Sequence, residues 1–438
     1  MLHRFVGRQI APGAALSQLK EVPMQDINVA LVGLGGFGIH YVNALLSAAE
    51  QHHVKFIAGI DPAPQGCAAL AEIQRRGIPL YPSLEAFLST PVRADLIALA
   101  SPLQLHCQQV IQALEAGSHV ICEKPLGASP DQARQMIQAR DKAGKIVAIA
   151  YQWSFAPTTG RLKRDILAGR FGAPRRFATL TCWPRGDSYY ARNNWAGKVR
   201  DDAGRLVLDS PANNACAHFL HYMFYLLGPT PQNSAQPASV SAELYRANAI
   251  QNYDTAAIRS TTASGVELLF LASHVTANNR NPVCRFEFEN ATILYGDQAD
   301  DHLRVRFSTG QVEDYGVLPG GDNMDKLWST VDAIRSSQSV LCGIEAAVAQ
   351  TVCMYAAQQS VPEMCVFPPD TVRRENHEGS HRLIVAGLDA LLERCYAEFK
   401  MPSEIGAPWA RPGKTVQPER IASAITERAS SCPIKDLS

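Results

Sequence analysis

A glycine turn set directly behind a buried strand narrows the folds open to this chain more than any other feature. Asn28-Val29-Ala30-Leu31-Val32 is nearly all apolar, the mark of a strand covered on both faces of a parallel sheet. Gly33-Leu34-Gly35-Gly36-Phe37-Gly38 follows it without a gap, with the spacing G-x-G-x-x-G. Gly33 permits the tight turn, Gly35 lets the backbone approach a pyrophosphate, and Gly38 lets the next helix pack closely on the strand. Gly36 and Phe37, inside the same turn, join them as candidates for cofactor contact. The free amides of that helix's first turn would face the phosphates.

The context strengthens the motif. Tyr41, Leu45 and Ala49 keep a helical period after Gly38, and Val54 to Ile60 gives a second strand that closes on Asp61, 23 residues after Gly38. A carboxylate at that strand tip accepts hydrogen bonds from an adenosine ribose and repels a 2′-phosphate, so Asp61 favours NAD over NADP. The competing reading is a helix-capping aspartate before Pro62.

Asp95 to Ala100 is another apolar strand, stopped by Ser101-Pro102. A helix from about Gln104 to Ala116 follows and ends at Gly117. His119 to Cys122 is the next strand, Ser129-Pro130-Asp131 caps a further helix ending near Gly144, and Ile146 to Ala150 is the last strand of the set. This alternation predicts an α/β fold, an N-terminal Rossmann-type doubly wound parallel sheet with ligands outside the carboxyl ends of its strands. Asp61, Ser101, Glu123 and Lys124 all fall at such ends.

Beyond Ala150 the pattern alternates: Arg175 to Trp183, Val240 to Arg246, Val266 to Ser273, and Cys284 to Glu289. Alternation predicts a C-terminal α+β region with a large, mainly antiparallel sheet, wet on one face and supplying the substrate wall and a dimer surface. Residues 325–360 and 380–400 read as helical. The expected organisation is an extension over 1–26, a dinucleotide-binding domain over 27–150, a substrate and oligomerisation domain over 151–365, and a helical tail over 366–438 that packs back on the body.

Lysine plus arginine equals aspartate plus glutamate at 41 each, so no basic field draws nucleic acid or anionic lipid. The longest apolar runs are strand-sized, too short to span a bilayer. Residues 1–26 lack the apolar core of a signal peptide. The 11 cysteines are scattered with no C-x-x-C pair, which points to buried thiols, no metal centre and a reducing cytoplasm.

Polar groups concentrate again in Asp209-Ser210-Pro211-Ala212-Asn213-Asn214 and the residues after it. Asn214, His218 and His221 are spaced i, i+4 and i+7, which on one helix would put all three on one face. Histidines lining a packed helix are the bland reading, and a metal site would lack a nearby carboxylate or cysteine ligand.

Gly33-x-Gly35-x-x-Gly38, Ser101-Pro102 with His106, Glu123-Lys124-Pro125, and His218 ten residues before Gly228 together resemble the glucose-fructose oxidoreductase, inositol dehydrogenase and MocA family. The resemblance runs from about Asn28 to Ser360. Its most specific stretch, Ala116 to Pro125, is similar to the family's alanine-glycine to glutamate-lysine-proline block nearly position for position. The resemblance implies an NAD(P)-dependent oxidoreductase acting on a sugar, sugar acid or cyclitol hydroxyl, and a homodimer or homotetramer. It implies cofactor contacts from Ser101, Pro102, His106, Glu123 and Lys124. Lys124 would also touch the substrate hydroxyl, with His218 as the acid/base residue beside it.

The chemistry is consistent on its own terms. Oxidising a secondary alcohol needs a base for the hydroxyl proton, and imidazole titrates near neutral pH. An ammonium near the same oxygen stabilises the developing alkoxide. Glu123 would hold cofactor hydroxyls or fix the lysine, and Lys124-Pro125 is a bond where a cis peptide costs little.

Two positions depart from the family's aspartate-x-x-x-histidine-x-x-aspartate arrangement: Asn214 takes the first acidic place, as a third catalytic candidate, and His221 takes the second. Asp209, five residues before Asn214, is a possible substitute. Ser154 stands where the family's arginine would. Arg185, Tyr189, Tyr190, Arg192, Asn193, Asn194 and Trp195 form an aromatic and polar loop suited to a sugar ring, with Arg185, Tyr190, Trp195 and His221 as substrate-binding candidates. A loop pinned by its own aromatics, or a dimer contact, fits the same residues. Two further readings keep the same parts: a glycosidase or lyase that oxidises its sugar transiently, and a non-catalytic sugar or nucleotide sensor.

Overall fold

The computed structural model describes residues 25–320, 323–377 and 379–419. All but the last two residues of the expected 1–26 extension, and the tail from 420, lie outside the described residues.

Six strands, β1 (Ile27–Val32), β2 (Val54–Ile60), β3 (Leu80–Tyr81), β4 (Leu96–Leu99), β5 (His119–Cys122) and β6 (Val147–Ile149), pair in parallel in the order β3-β2-β1-β4-β5-β6. Helices α1 (Gly38–Ser47), α2 (Leu70–Arg75), α3 (Leu84–Leu88), α4 (His106–Glu115) and α5 (Pro130–Ala143) follow the first five strands in turn. Val29, Leu31, Ile97, Val120 and Ile121 are buried among these helices, which is why their strands read as unbroken apolar runs. The strand order reverses between β1 and β4, and such a switch point leaves a crevice outside the strand ends. Gly33 sits there with φ +85°, and a Cβ on it would lie 2.7 Å from the Ala100 carbonyl oxygen. Only glycine lets the β1 and β4 loops meet so closely.

The second sheet has nine strands: β7 (Pro174–Cys182), β8 (Pro237–Arg246), β9 (Thr255–Thr262), β10 (Glu267–Ser273), β11 (Arg280–Phe288), β12 (Ala291–Tyr295), β13 (His302–Phe307), β14 (Val312–Val317) and β15 (Cys365–Val366). They lie in the order β14-β13-β12-β11-β7-β10-β9-β8-β15, antiparallel except for β7 with β10 and β8 with β15. Helices α6 (Pro157–Leu167), α7 (Asp187–Ala191) and α8 (Ala217–Leu226) precede or interrupt the sheet. Helices α9 (Asp325–Ser336) and α10 (Ile344–Ser360) lie between β14 and β15 in the chain. Leu327 and Val331 of α9 enter the core of the first sheet, so this helix ties the two halves together.

The segment 325–360 is helical, as two helices, because Ser337 takes the left-handed conformation at φ +54° and ends α9. Two expectations are corrected. The segment 380–400 is not one helix: β16 (Val372–His377) and β17 (Ser380–Val385) form a hairpin before α11 (Leu388–Glu398) and the short α12 (Pro402–Ile405). The large sheet has no wet face along its centre. Leu268 and Phe270 of β10 point into one apolar cluster, while Leu269 and Leu271 point into another with Val385, Leu388, Leu392, Phe399 and Met401 of the C-terminal segment. Leu268-Leu269-Phe270-Leu271-Ala272 is a continuous apolar run, which marks a strand covered on both sides. The face expected to carry a dimer contact is thus covered by the chain's own residues. Among the described residues, no helix is long and apolar enough to cross a membrane, and Cys122 and Cys284 are buried free thiols.

Candidate active site

A cleft of about 970 Å³ opens at the carboxyl ends of β1, β2, β4 and β5. Gly33, Gly35, Gly36, Phe37, Asp61, Ser101, Pro102, His106, Glu123 and Lys124 all line it. Gly38 is buried beneath, where a Cβ would collide with the Gly33 carbonyl. From the second half of the chain, Tyr189, Arg192, Asn193, Trp195, Arg205 and Asn214 reach its wall.

The cleft fits a dinucleotide. No side chain caps the start of α1, and Gly36, at φ +53°, has nothing within 4 Å of a would-be Cβ, so the turn is open where a phosphate would lie. The Asp61 carboxylate at the tip of β2 is fixed by the backbone N–H groups of Leu34 and Ala63, each donating at 2.8 Å. His106 is buried, with Nδ1 2.9 Å from the Pro125 carbonyl oxygen and Nε2 3.0 Å from that of Ser101, so it ties the loops after β4 and β5 together. The Lys124-Pro125 peptide between them is cis.

Glu123 is set by a residue that sequence reasoning missed. Lys326, buried on α9, approaches its Oε1 at 2.5 Å, and Tyr41 donates to the same oxygen at 2.9 Å. The Lys124 backbone N–H donates to Oε2 at 3.2 Å. The Lys326 ammonium also lies 4.5 Å from the centre of the Phe37 ring, at the glycine turn. A lysine one residue inside an apolar helix face was the available signal, but nothing in the sequence paired it with a residue 203 positions away.

Lys124 is half-buried, and burial, as the leading cause, lowers its pKa, while the nearby Glu123 carboxylate pulls it back up. Its Nζ donates to the Asn214 backbone oxygen at 2.8 Å and to the Asn214 Oδ1 at 3.3 Å. Asn214 does not share a helix with His218, as its spacing implied. It lies in the turn before α8, which begins at Ala217, because Pro211 and the polar run after it favour turns over helix. Its Nδ2 donates to the Asp209 carboxylate at 2.8 Å.

His218, half-buried on α8, stands outside the cleft lining, edge-on to Tyr151 at 5.7 Å between ring centres. Burial, and then the charges of Lys124 and Lys326, hold its imidazole well below the usual pKa. His221 is corrected from a substrate contact to a core residue: it is buried, stacks on Tyr151 at 3.9 Å, and its Nε2 lies 2.8 Å from Ser154 Oγ. The two departures noted at 154 and 221 therefore meet, a hydroxyl and an imidazole satisfying each other in the core. Arg185 and Tyr190 do not line the cleft either. Arg185 lies 5.0 Å from the centre of the Tyr189 ring, and Tyr190 reaches His274 Nδ1 at 3.3 Å, so both support the loop rather than face the cavity. Their neighbour Arg192, 3.7 Å from the centre of the Tyr189 ring, takes the wall position with Trp195. The C-terminal hairpin braces this loop: Arg374 pairs with Asp187 at 2.6 Å, and the Ser188 N–H donates to Ser380 Oγ at 3.2 Å. Among the described residues, no group of three or more histidine, cysteine, aspartate or glutamate side chains is placed to hold a metal ion.

Residues 27–151 match the model of the oxidoreductase family with an NAD-binding Rossmann fold. D-glucoside 3-dehydrogenase of Escherichia coli is 38% identical over 81 residues, 18% of this chain and 23% of that protein. Inositol 2-dehydrogenase of Mycolicibacterium smegmatis is 30% identical over 158 residues, 34% of this chain and 43% of that protein. The chain thus spans less than half the length of these curated relatives. Levoglucosan dehydrogenase, solved with NADH and levoglucosan, shares the fold with a TM-score of 0.64 at 18% identity, over 77% of this chain and 98% of that one. The WlbA dehydrogenase of Bordetella pertussis, solved with NADH and UDP-GlcNAcA, does so with a TM-score of 0.63 at 21% identity, over 77% and 97%. Residues 27–151 thus match the model of an NAD-binding Rossmann oxidoreductase family, and there the chain is similar to the glucoside and inositol dehydrogenases.

Proposed function

We propose that this protein oxidises a secondary hydroxyl of a sugar, sugar acid or cyclitol, with NAD as hydride acceptor. The observation that carries the reading is the Lys124 amine in the wall of the cleft that begins at the glycine turn. A bound nicotinamide would take the hydride from the carbinol carbon. The chain's own residues would handle the oxygen. Lys124 stabilises the alkoxide that develops as the O–H proton leaves, and His218, neutral because its pKa is lowered, takes that proton, so that the product is a ketone. The aromatic faces of Tyr189 and Trp195, with the donors of Arg192 and Asn193, suit the C–H faces and hydroxyl rim of a sugar ring. The names of the glucoside and inositol dehydrogenases among the relatives support that substrate class.

Asp61 supports NAD over NADP, since its carboxylate would repel a 2′-phosphate. The described cysteines, free thiols throughout, support a reducing compartment. Purified protein given NAD and a panel of sugars, sugar acids and cyclitols should develop reduced-nicotinamide absorbance with at least one of them. Release of an aglycone from a glycoside without that absorbance would point instead to transient oxidation coupled to elimination.

A further inference from the structure

Asp209 lies in the segment that leads to α8 and is buried. Both carboxylate oxygens are occupied: Oδ2 accepts from the Gly197 N–H at 2.6 Å and Oδ1 from Asn214 Nδ2 at 2.8 Å. Its backbone oxygen accepts from Asn252 Nδ2 at 3.1 Å. Arg192, in the cleft wall, brings its guanidinium to 3.8 Å from Oδ2. Nothing in the proposed reaction uses this buried acid, and it is too well fixed to be incidental.

The orientation of Asn214 follows from its neighbours. A carboxylate only accepts and an ammonium only donates, so the amide nitrogen must face Asp209 and the amide oxygen must face Lys124. The Asn214 side-chain and backbone oxygens together take two N–H groups of Lys124. An ammonium has three donors, so one remains.

We propose that Asp209 is a positioning residue of the active site: acting through Asn214, it orients the amide so that Lys124 is held as a cation with a single N–H free for the substrate oxygen. An amide neither takes up nor releases a proton near neutral pH, so Asn214 transmits charge and orientation but not protons. Lys124 then serves as a fixed cation, and the hydroxyl proton goes to His218. The inference rests on the reading of Lys124 as the amine at the reacting oxygen.

The groups facing the pair are few. Lys124 is met by Glu123 from its own loop, by Lys326 from α9, by Asp209 through Asn214, and by Cys216 and His218 from the start of α8. Asp209 is met by Arg192, Lys124 and, across the loop, Tyr189, Tyr190 and Tyr253. Burial raises the Asp209 pKa, and the Gly197 amide, Arg192, Asn214 and Lys124 each pull it back. Among these groups Asp209 is the carboxylate linked to Lys124 by a hydrogen-bonded amide, while Glu123 is held by Lys326.

The test reads the Lys124 amine directly and needs no substrate: pH-dependent acetylation with trace acetic anhydride, with the Lys124 peptide quantified by mass spectrometry. In Asp209→Asn the midpoint should fall by about half a pH unit or more, because the charge is gone and the amide is free to turn. The exchange variant Asp209→Asn with Asn214→Asp, which puts the carboxylate in direct contact with Lys124, should return the midpoint to the wild-type value or above it. A purely structural Asp209 predicts no such recovery. An unchanged midpoint in Asp209→Asn, or an exchange variant whose midpoint stays below that of the wild type, overturns the proposal, and the second arm decides even if Asp209→Asn alone fails to fold. A polyol panel without turnover would sink the proposed reaction and leave the labelling result standing.

Discussion

Lys326 Nζ lies 2.5 Å from Glu123 Oε1, so a helix inserted between two strands of the large sheet neutralises an acid at the tip of a Rossmann strand. Both side chains are buried, and each is the other's charge partner. The same ammonium sits over the rings of Phe37 and Tyr41, linking the pair to the glycine turn and to α1.

Removing one member of such a pair leaves a buried charge without compensation. Lys326→Met should cost about 3–5 kcal/mol, and the further change Glu123→Gln should recover part of that loss. Urea unfolding of the two variants checks it, and a double variant no more stable than Lys326→Met would contradict it.

In the proposed reaction His218, as the proton acceptor, would set the acid limb of activity. Its imidazole must be neutral to accept a proton, and burial lowers its pKa, so activity is present above that lowered value and is lost only as pH falls through it. The limb in kcat/KM should therefore lie below about 6.5, the ordinary histidine value. His218→Asn should lower kcat by about 10²–10⁴-fold and abolish that limb. A pH–rate profile of the two proteins gives both numbers.

The C-terminal segment is structural cover for the large sheet. Leu392 of α11 is fully buried against it, so Leu392→Ala should cost about 2–5 kcal/mol. Leu392→Asp should expose the apolar face and drive self-association, read by light scattering. The unaltered chain should not associate through that face.

The first half of the fold was legible because its signals are local. Adjacent Ala30 and Leu31 are both buried, Gly33 needs its left-handed turn, and Asp61 must sit at a strand tip, each within a few residues of the motif that announces it. The cleft residues from Gly33 to Lys124 follow from the same rule, since strand ends converge at a switch point. What escaped is non-local or depends on where a helix starts. Asn214 kept helical spacing from His218, yet the turn after Pro211 moved it off the helix and onto Lys124. His221 and Ser154 each read as an odd substitution, and only their 2.8 Å contact explains both. Lys326 found Glu123 from 203 residues away. The cover over the sheet shows in β10, whose central residues are apolar throughout and do not alternate.

The central claim is that Lys124 acts on the substrate oxygen in an NAD-dependent oxidation, and turnover of Lys124→Met against the wild type tests it most directly. With NAD and a polyol that the wild type accepts, the wild type should form NADH. Lys124→Met should lose about 10²-fold or more in kcat while still binding NAD. A variant that turns over at the wild-type rate, or a wild type that binds NAD and forms NADH with no member of a broad sugar and cyclitol panel, would contradict the account.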